Sequence, residues 1–566
     1  MKWKLVLVYG LFWCMKVEAQ IERYALVINE IMADPSPIVG LPNAEYIELR
    51  NNSSAPVNLF KWRINNGTTT ATVAVNYLLA PDSLVIFCSK TQVVFFNQPS
   101  KTIGLTSFPA LANEGDCITL SAPDGKTIHA VEYDLRTYGN PVKDAGGWSL
   151  EMINPLNPCS SMNWKASTDE KGGTPGRENS VINKATKPNL LEAIQCIAIS
   201  NNHLLLTLNQ GADSLSLSMA AHYQIKEAGI QVISAIALPP LFKAVTIQLG
   251  SAMEANRIYH LQARSLAGCN NIGLESVEAR TGLTKQPDVG DLVINELLFN
   301  PPSGGADFIE LYNPSQFLLN IKDLLIGSRN DAGLLGNFYA VSENDHLLFP
   351  GENLVLSTDT AFIKRQWSNS DKKAMVEVKS LPSLPDDKGN IVVVNKQGKP
   401  IDELSYADDW HFPLLKEKEA VSLERIDPLS PSSDPGNWHS AASDMNYATP
   451  TMVNSQYKKR DSATTNINMF PALISPNNDG VDDFLNIQYR FKEPGSLMSA
   501  FLFSQNGQRL STIIENRLCG TEGRFVWSGL DSKNNRLPAG VYVVLVESFN
   551  LNGKSQRMKK AVGIRF

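Results

Sequence analysis

Val27-Ile28-Asn29-Glu30-Ile31, followed by Glu45-Tyr46-Ile47-Glu48-Leu49-Arg50-Asn51, is written a second time as Val293-Ile294-Asn295-Glu296-Leu297 and Asp307-Phe308-Ile309-Glu310-Leu311-Tyr312-Asn313. The copies stay in step to their ends. Trp148-Ser149-Leu150-Glu151 answers Val421-Ser422-Leu423-Glu424, and Asn163-Trp164 answers Asn437-Trp438. Thr174-Pro175 with Asn179-Ser180 answers Thr449-Pro450 with Asn454-Ser455. Self-similarity at this length identifies one domain type used twice. Such a chain suits display or binding better than a single catalytic pocket.

Around the repeats, the segments are short strands. Leu84-Val85-Ile86-Phe87, Ile391-Val392-Val393-Val394 and Val541 to Val546 are apolar, rich in β-branched residues and bounded by turns. Pro123-Asp124-Gly125-Lys126, Gln397-Gly398-Lys399 and Asn506-Gly507 supply turn chemistry. One modest helix is expected, around Asp359 to Trp367. The fold class is all-β, as tandem immunoglobulin-like β-sandwich domains. A length of 566 residues allows about four domains. The expected boundaries are 20–183 for the first copy, 188–284 for a spacer, 285–457 for the second copy, 458–466 for a linker and 467–566 for a last domain.

Lys2 and Lys4, the apolar run Leu5 to Met15 and Val17-Glu18-Ala19 form a leader over 1–19, with cleavage expected before Gln20. Bulky Leu11-Phe12-Trp13 in front of Cys14 argues against a lipidated cysteine. No later run is long enough to span a bilayer as a helix, so an exported or surface-held protein is expected. The net charge of -6 argues against nucleic acid as a partner, because phosphate binding needs clustered Lys and Arg. Beyond the leader the cysteines are Cys88, Cys117, Cys159, Cys196, Cys269 and Cys519. Cys196 and Cys269 flank the spacer and are the expected disulfide, although six cysteines allow 15 connectivities.

The paired units resemble the lamin tail domain, an immunoglobulin-like sandwich, in the large form found in secreted bacterial proteins. The match rests on Asn29-Glu30 and Asn295-Glu296, on Ile47-Glu48-Leu49 and Ile309-Glu310-Leu311, and on the closing Asn-Trp, Thr-Pro and Asn-Ser pairs. The spacer looks like a bacterial immunoglobulin-like domain, through Tyr259-His260-Leu261-Gln262-Ala263. The last domain carries Ser475-Pro476-Asn477-Asn478-Asp479-Gly480, Trp527-Ser528-Gly529-Leu530-Asp531 and Leu537-Pro538-Ala539-Gly540-Val541-Tyr542. It resembles the immunoglobulin-like domain of flagellar hook-capping proteins and the sorting domains of type IX secretion cargo and gliding-associated proteins. That resemblance implies the type IX machinery or a cell-surface anchor as partner. The ligand would be an extracellular protein or a glycan.

Candidate chemistry is sparse. In Ile47-Glu48-Leu49 the apolar pair points to one face and Glu48 to the other, as in a half-buried strand. Glu30, Glu48, Glu296 and Glu310 are therefore expected to be structural; a carboxylate site and local polar pairing are the alternatives. The loop from Ser475 offers Asn477, Asp479 and Gly480 at calcium-loop positions, with Asp482 and Asp483 as substitutes for the missing acid at position 12. A calcium site and a plain Asx-rich turn both fit. No HExxH, GxSxG, Walker loop or GxGxxG occurs. Cys88 is expected in a core or a disulfide. Trp62, Trp148, Trp164, Trp438 and Trp527 are expected to pack against sheets, whereas Trp410 is a candidate exposed aromatic platform. The expected function is a non-catalytic surface or extracellular binding, adhesion or structural module. The alternatives are a secreted hydrolase with a carboxylate or calcium site, and a glycan-binding protein.

Overall fold

The computed structural model describes residues 21–96, 101–186, 189–227, 229–268, 274–330, 332–458, 465–531 and 533–566. The expected leader, Cys269 and most of the 458–466 linker lie outside the described residues. The chain divides into two compact units, one reaching to Thr281 apart from 255–257 and the other running from Gly282 to Phe566.

In the first unit, the strand that opens the repeat, Leu26–Met32, pairs on one side with Tyr46–Asn51 and on the other with Leu150–Met152. Trp164–Ala166 extends that sheet at one edge, while Leu84–Ser89 and then Thr102–Leu105 extend it at the other. In the second unit, Val293–Leu298 pairs with Phe308–Tyr312 and Leu423–Arg425 in the same way. Trp438–Ser440, Asn353–Ser357 and Met375–Glu377 complete an identical six-strand order. Even the single parallel pairing recurs, between the last two strands of each sheet.

A four-stranded sheet faces each of these. It runs Thr127–Asp134, Gly115–Ser121, Arg63–Asn65, Thr70–Thr72 in the first copy and Pro400–Ala407, Lys388–Val394, Leu325–Arg329, Leu335–Ala340 in the second. Between the layers lie Leu26, Ile28, Ile31, Ile47, Leu49 and Trp62 in one copy, and Ile294, Leu297, Ile309 and Leu311 in the other. Each such side chain removed from water contributes about 1.5–3 kcal/mol. The duplicated letters thus describe a duplicated sandwich.

The spacer stretch is a smaller sandwich. Four strands (Ala193–Ser200, His203–Leu208, Ala244–Leu249, Val232–Leu238) face three (Tyr223–Ile225, Ile258–Ala267, Leu274–Gly282). Arg23 of the first copy donates to the carbonyls of Ala212 (2.7 Å) and Leu241 (3.3 Å), with its guanidinium 4.3 Å from the Phe242 ring centre. The last stretch packs three strands (Asn466–Phe470, Leu485–Arg490, Glu522–Trp527) against five.

The expected helix is present as Thr360–Gln366, with the Asp359 carboxylate accepting from the Phe362 N–H at 2.7 Å as N-cap. Among the described residues no helix is long and apolar enough to cross a membrane. Trp62, Trp164, Trp438 and Trp527 are buried, and Trp148 is half-buried with Lys143 4.0 Å from its ring centre.

The expected Cys196–Cys269 bridge is not formed: Cys196 is a free thiol. It is fully buried in the spacer beside the Thr281 hydroxyl, and burial pushes its pKa up to about 12. Cys159 is the described residue that is disulfide-bonded. Flanking a domain in sequence does not put two side chains on the same face, and disulfide geometry demands closely facing Cβ atoms.

Candidate functional site

The half-buried reading of the Ile-Glu-Leu strand is overturned by the structure. Every residue of Leu26–Met32 and Tyr46–Asn51 is buried, on both faces. The face away from the hydrophobic core is covered by the irregular closing segment of each copy, which carries the Thr-Pro and Asn-Ser pairs. Beneath it, Glu48, Glu30 and Glu151 lie side by side on three adjacent strands, Glu30 being the register partner of both others. Glu310, Glu296 and Glu424 repeat the row. All six side chains are fully inaccessible.

A β-bulge makes this possible. The register slips between Ile28 and Glu30, and again between Ile294 and Glu296, leaving Asn29 and Asn295 as the extra residues. Without the slip, Ile28 and Glu30 would share a face. With it, Ile28 enters the core while Glu30 turns to the covered side. The bulged asparagine then bridges layers: Asn29 Nδ2 donates to Glu48 Oε1 (2.9 Å) and to Asn179 Oδ1 (2.7 Å). Asn295 does the same to Glu310 (2.9 Å) and Asn454 (2.9 Å).

The closing segment, together with the serine just before the third strand, supplies further donors. Thr174 N–H and the Ser149 hydroxyl donate to Glu30 Oε1 at 2.7 and 2.6 Å, and the Thr174 hydroxyl donates to Glu151 at 3.0 Å. Ser180 Oγ (2.8 Å) and Val181 N–H (3.1 Å) close on Glu151, and Gly176 N–H donates to Glu48. In the second copy Thr449 N–H and Ser422 Oγ hold Glu296, while Thr451 N–H holds Glu310. Ser455 Oγ and Gln456 N–H, each at 2.8 Å, hold Glu424. The Thr-Pro and Asn-Ser letters recur in both copies because the Thr and Ser donate to buried carboxyl groups while the Asn donates to backbone carbonyls of the sheet.

Burial first, and then the neighbouring Glu151, push the Glu30 pKa up to about 7; burial and Glu424 push Glu296 up to about 8. Glu48 and Glu310 are also raised well above the ordinary carboxyl value, by burial and the adjacent glutamate. One side-chain donor differs between the cages. Tyr46 donates to Glu30 at 2.7 Å, and the matching position, Phe308, has no hydroxyl. That extra donor favours the charged form of Glu30.

Behind the bulge the copies diverge chemically while meeting the same need. His129 Nδ1 accepts the Ile28 N–H at 2.9 Å and its Nε2 donates to the Pro158 carbonyl at 3.0 Å. In the second copy Asp402 accepts the Ile294 N–H at 2.7 Å, and Arg425, in the place of Met152, lies 3.3 Å from Asp402. A neutral imidazole stands alone where an aspartate requires a guanidinium.

Every carboxyl oxygen of these cages is hydrogen-bonded internally, only Asn29 Oδ1 in the first cage being buried without a partner among the described residues, and the glutamates are sealed from solvent. Their chemistry is to latch the closing segment to the sheet. The second cage also reaches the last domain. Ser455, which holds Glu424, accepts from Thr521 N–H at 2.8 Å through its carbonyl, and the Gln456 side chain donates to the Cys519 carbonyl at 3.2 Å. Phe412, Leu497 and Leu518 form the apolar part of this seam.

The remaining candidates are placed elsewhere. Asp483 is buried in its loop and accepts from Asn477 N–H (3.0 Å), Asn478 N–H (2.7 Å) and Gly480 N–H (2.8 Å). Asp479 accepts from Val481 N–H (2.8 Å) and the Asn477 amide (2.9 Å), while Asp482 is exposed. With the oxygens of Asp483 and Asp479 so engaged, this loop has the geometry of an Asx-rich turn and fits a calcium ion poorly. Trp410 packs partly buried against the second core, with His411 and Phe412 buried beside it, so it offers no exposed platform. Cys88 is a buried free thiol whose pKa burial lifts to about 11.

No curated protein matches the chain by sequence. Among solved structures, the N-terminal part of the bacterial S-layer protein SbsC is 10% identical, over 39% of this chain and 44% of that one, at a TM-score of 0.16. A DUF4876 family protein from Bacteroides thetaiotaomicron is 10% identical, over 42% of this chain and 87% of that one, at 0.18. A Ca2+-stabilized adhesin with which an Antarctic bacterium binds ice is 7% identical, over 96% and 100%, at 0.11. The chain spans about half the length of the S-layer structures it matches. Residues 20–134, which carry the Asn-Glu and Ile-Glu-Leu strands of the first cage, match the Lamin Tail Domain family.

Proposed function

We propose that this is an exported, non-catalytic protein that serves at the cell surface or outside the cell as a structural or adhesive module. The observation that carries this reading is the repeated latch. Six glutamates that would be costly to bury are spent on holding two closing segments in place, which favours stiff building blocks over a reacting centre. The seam from Ser455 and Gln456 to Thr521 and Cys519 extends the same stiffness into the last domain. That domain acts as the sorting or anchoring element, read by a type IX secretion apparatus.

The test is cell fractionation with surface proteolysis. The full chain is expected to be cleaved by protease added to intact cells, and a chain lacking 467–566 is expected to accumulate in the periplasm. Full-length protein confined inside the cell would contradict the surface role. Unchanged export of the truncated chain would contradict the sorting role.

A further inference from the structure

The geometry points to a glycan-binding cleft on the outer face of the three-stranded sheet of the last domain, fitted to a neutral oligosaccharide. Strand alternation sends Ile467, Met469, Ile487 and Tyr489 into the core and their neighbours outward. Register then assembles those neighbours in rows across the strands. One row is Asn468, Gln488 and Arg524; the next is Asn466, Arg490 and Glu522. All six are exposed.

The face is not left flat. Asn369, Asp444 and Met445 of the second sandwich form a wall, and the trough between has a volume of about 830 Å³. Asp444 closes the wall against the floor by accepting the Tyr489 hydroxyl at 2.7 Å. Gly523 permits that approach: a Cβ there would lie 2.3 Å from both Asp444 Oδ2 and Tyr489 OH. Asp444 Oδ1 is buried and without a hydrogen-bond partner.

Four features select the ligand. All six side chains of the two rows end in planar amide, guanidinium or carboxylate groups. An amide offers a donor beside an acceptor, the pattern that vicinal hydroxyls of a sugar satisfy in pairs. Neighbouring strands are about 4.8 Å apart, so groups along a row repeat at roughly the size of one sugar ring. Charge is nearly balanced, since Arg490 pairs with Glu522 at 3.3 Å, which favours a neutral chain over a polyanion. Phe470, exposed on the same face one row further on, gives a ring surface against which a sugar can stack. A peptide adding to the sheet would instead use the backbone of a strand edge.

This goes beyond the surface-module reading, and binding is measured in solution, so its failure leaves the localisation result untouched. The experiment is calorimetric titration of the full-length protein with soluble malto-, cello-, xylo- and chito-oligosaccharides, and with an oligogalacturonate as the acidic probe. At least one neutral oligosaccharide is expected to bind with a dissociation constant of about 0.1–1 mM. The double variant Asn468→Ala, Gln488→Ala removes two exposed amides, so it is expected to weaken that binding at least about tenfold with the thermal transition unchanged. The single variant Asn468→Ala is expected to fall between. Binding by none of the neutral sugars, binding unaltered in the double variant, or preference for the acidic oligomer would each overturn the proposal.

Discussion

Replacing Glu30 with alanine is expected to destabilise the first sandwich by about 3–5 kcal/mol, whereas Glu30→Gln costs about 1 kcal/mol or less. Alanine leaves the Tyr46 hydroxyl, the Ser149 hydroxyl and the Thr174 N–H without their shared acceptor, inside a region closed to water. An orphaned buried donor costs about 1–3 kcal/mol, and the hydroxyls can turn to recover part of it, so the sum is less than three full penalties. Glutamine keeps the oxygen that accepts all three and removes a charge that Glu151 and Glu48 oppose. Calorimetry on the full chain suits the measurement, because several domains unfold in separate transitions. The transition of the altered sandwich is expected to fall by roughly 10 °C for alanine. Equal effects for the two substitutions would show that the carboxyl oxygen is not what holds the segment.

Stability is expected to fall as pH rises from 6.5 to 8. Glu30 titrates at about 7 and Glu296 at about 8 in the folded protein, against an ordinary value of 4.5. The folded chain therefore holds protons that the unfolded chain has already released, and the contribution, complete below 4.5, disappears as pH climbs through those folded values. Histidines act in the opposite sense: His129 and His411 are pushed down to about 4 by burial, so their contribution is lost as pH falls from 6.5 through 4. Below 6.5 the two sets compete, and above it the glutamates act alone. The slope is at most about 1.4 kcal/mol per pH unit for each glutamate. Thermal denaturation across this range checks it, with the double variant Glu30→Gln, Glu296→Gln expected to flatten the profile. A wild-type transition that holds steady or rises between pH 6.5 and 8 would contradict the cages.

The sandwiches were legible because their letters are written twice and alternate as strands do, and the helix Thr360–Gln366 falls inside its expected stretch. The cages were half legible. Glu30, Glu48, Glu296 and Glu310 were recognisable as structural, but a glutamate alternating with Ile47 and Leu49 has the pattern of a solvent-facing side chain. What buries it is an irregular segment, 120 or more positions away in sequence for Thr174 and Gly176, that has no periodicity to read. The bulge at Asn29 was invisible for a similar reason: one extra residue changes facing without changing composition. Glu151 and Glu424 stood in quoted matching positions, and their role emerges only when three strands are placed in register. The cleft on the last domain likewise depends on register across three distant strands, and on a wall supplied by another sandwich.

Amide hydrogen exchange over 167–183 and 441–457 in the intact protein tests the central claim most directly. These segments contain no regular strand, yet the N–H groups of Thr174, Gly176 and Val181, and of Thr449, Thr451 and Gln456, donate to buried glutamates. Protection approaching that of the sheet strands is predicted in both copies, with loss in the first alone on Glu30→Ala. Exchange as fast as an exposed loop in either copy would contradict the latch.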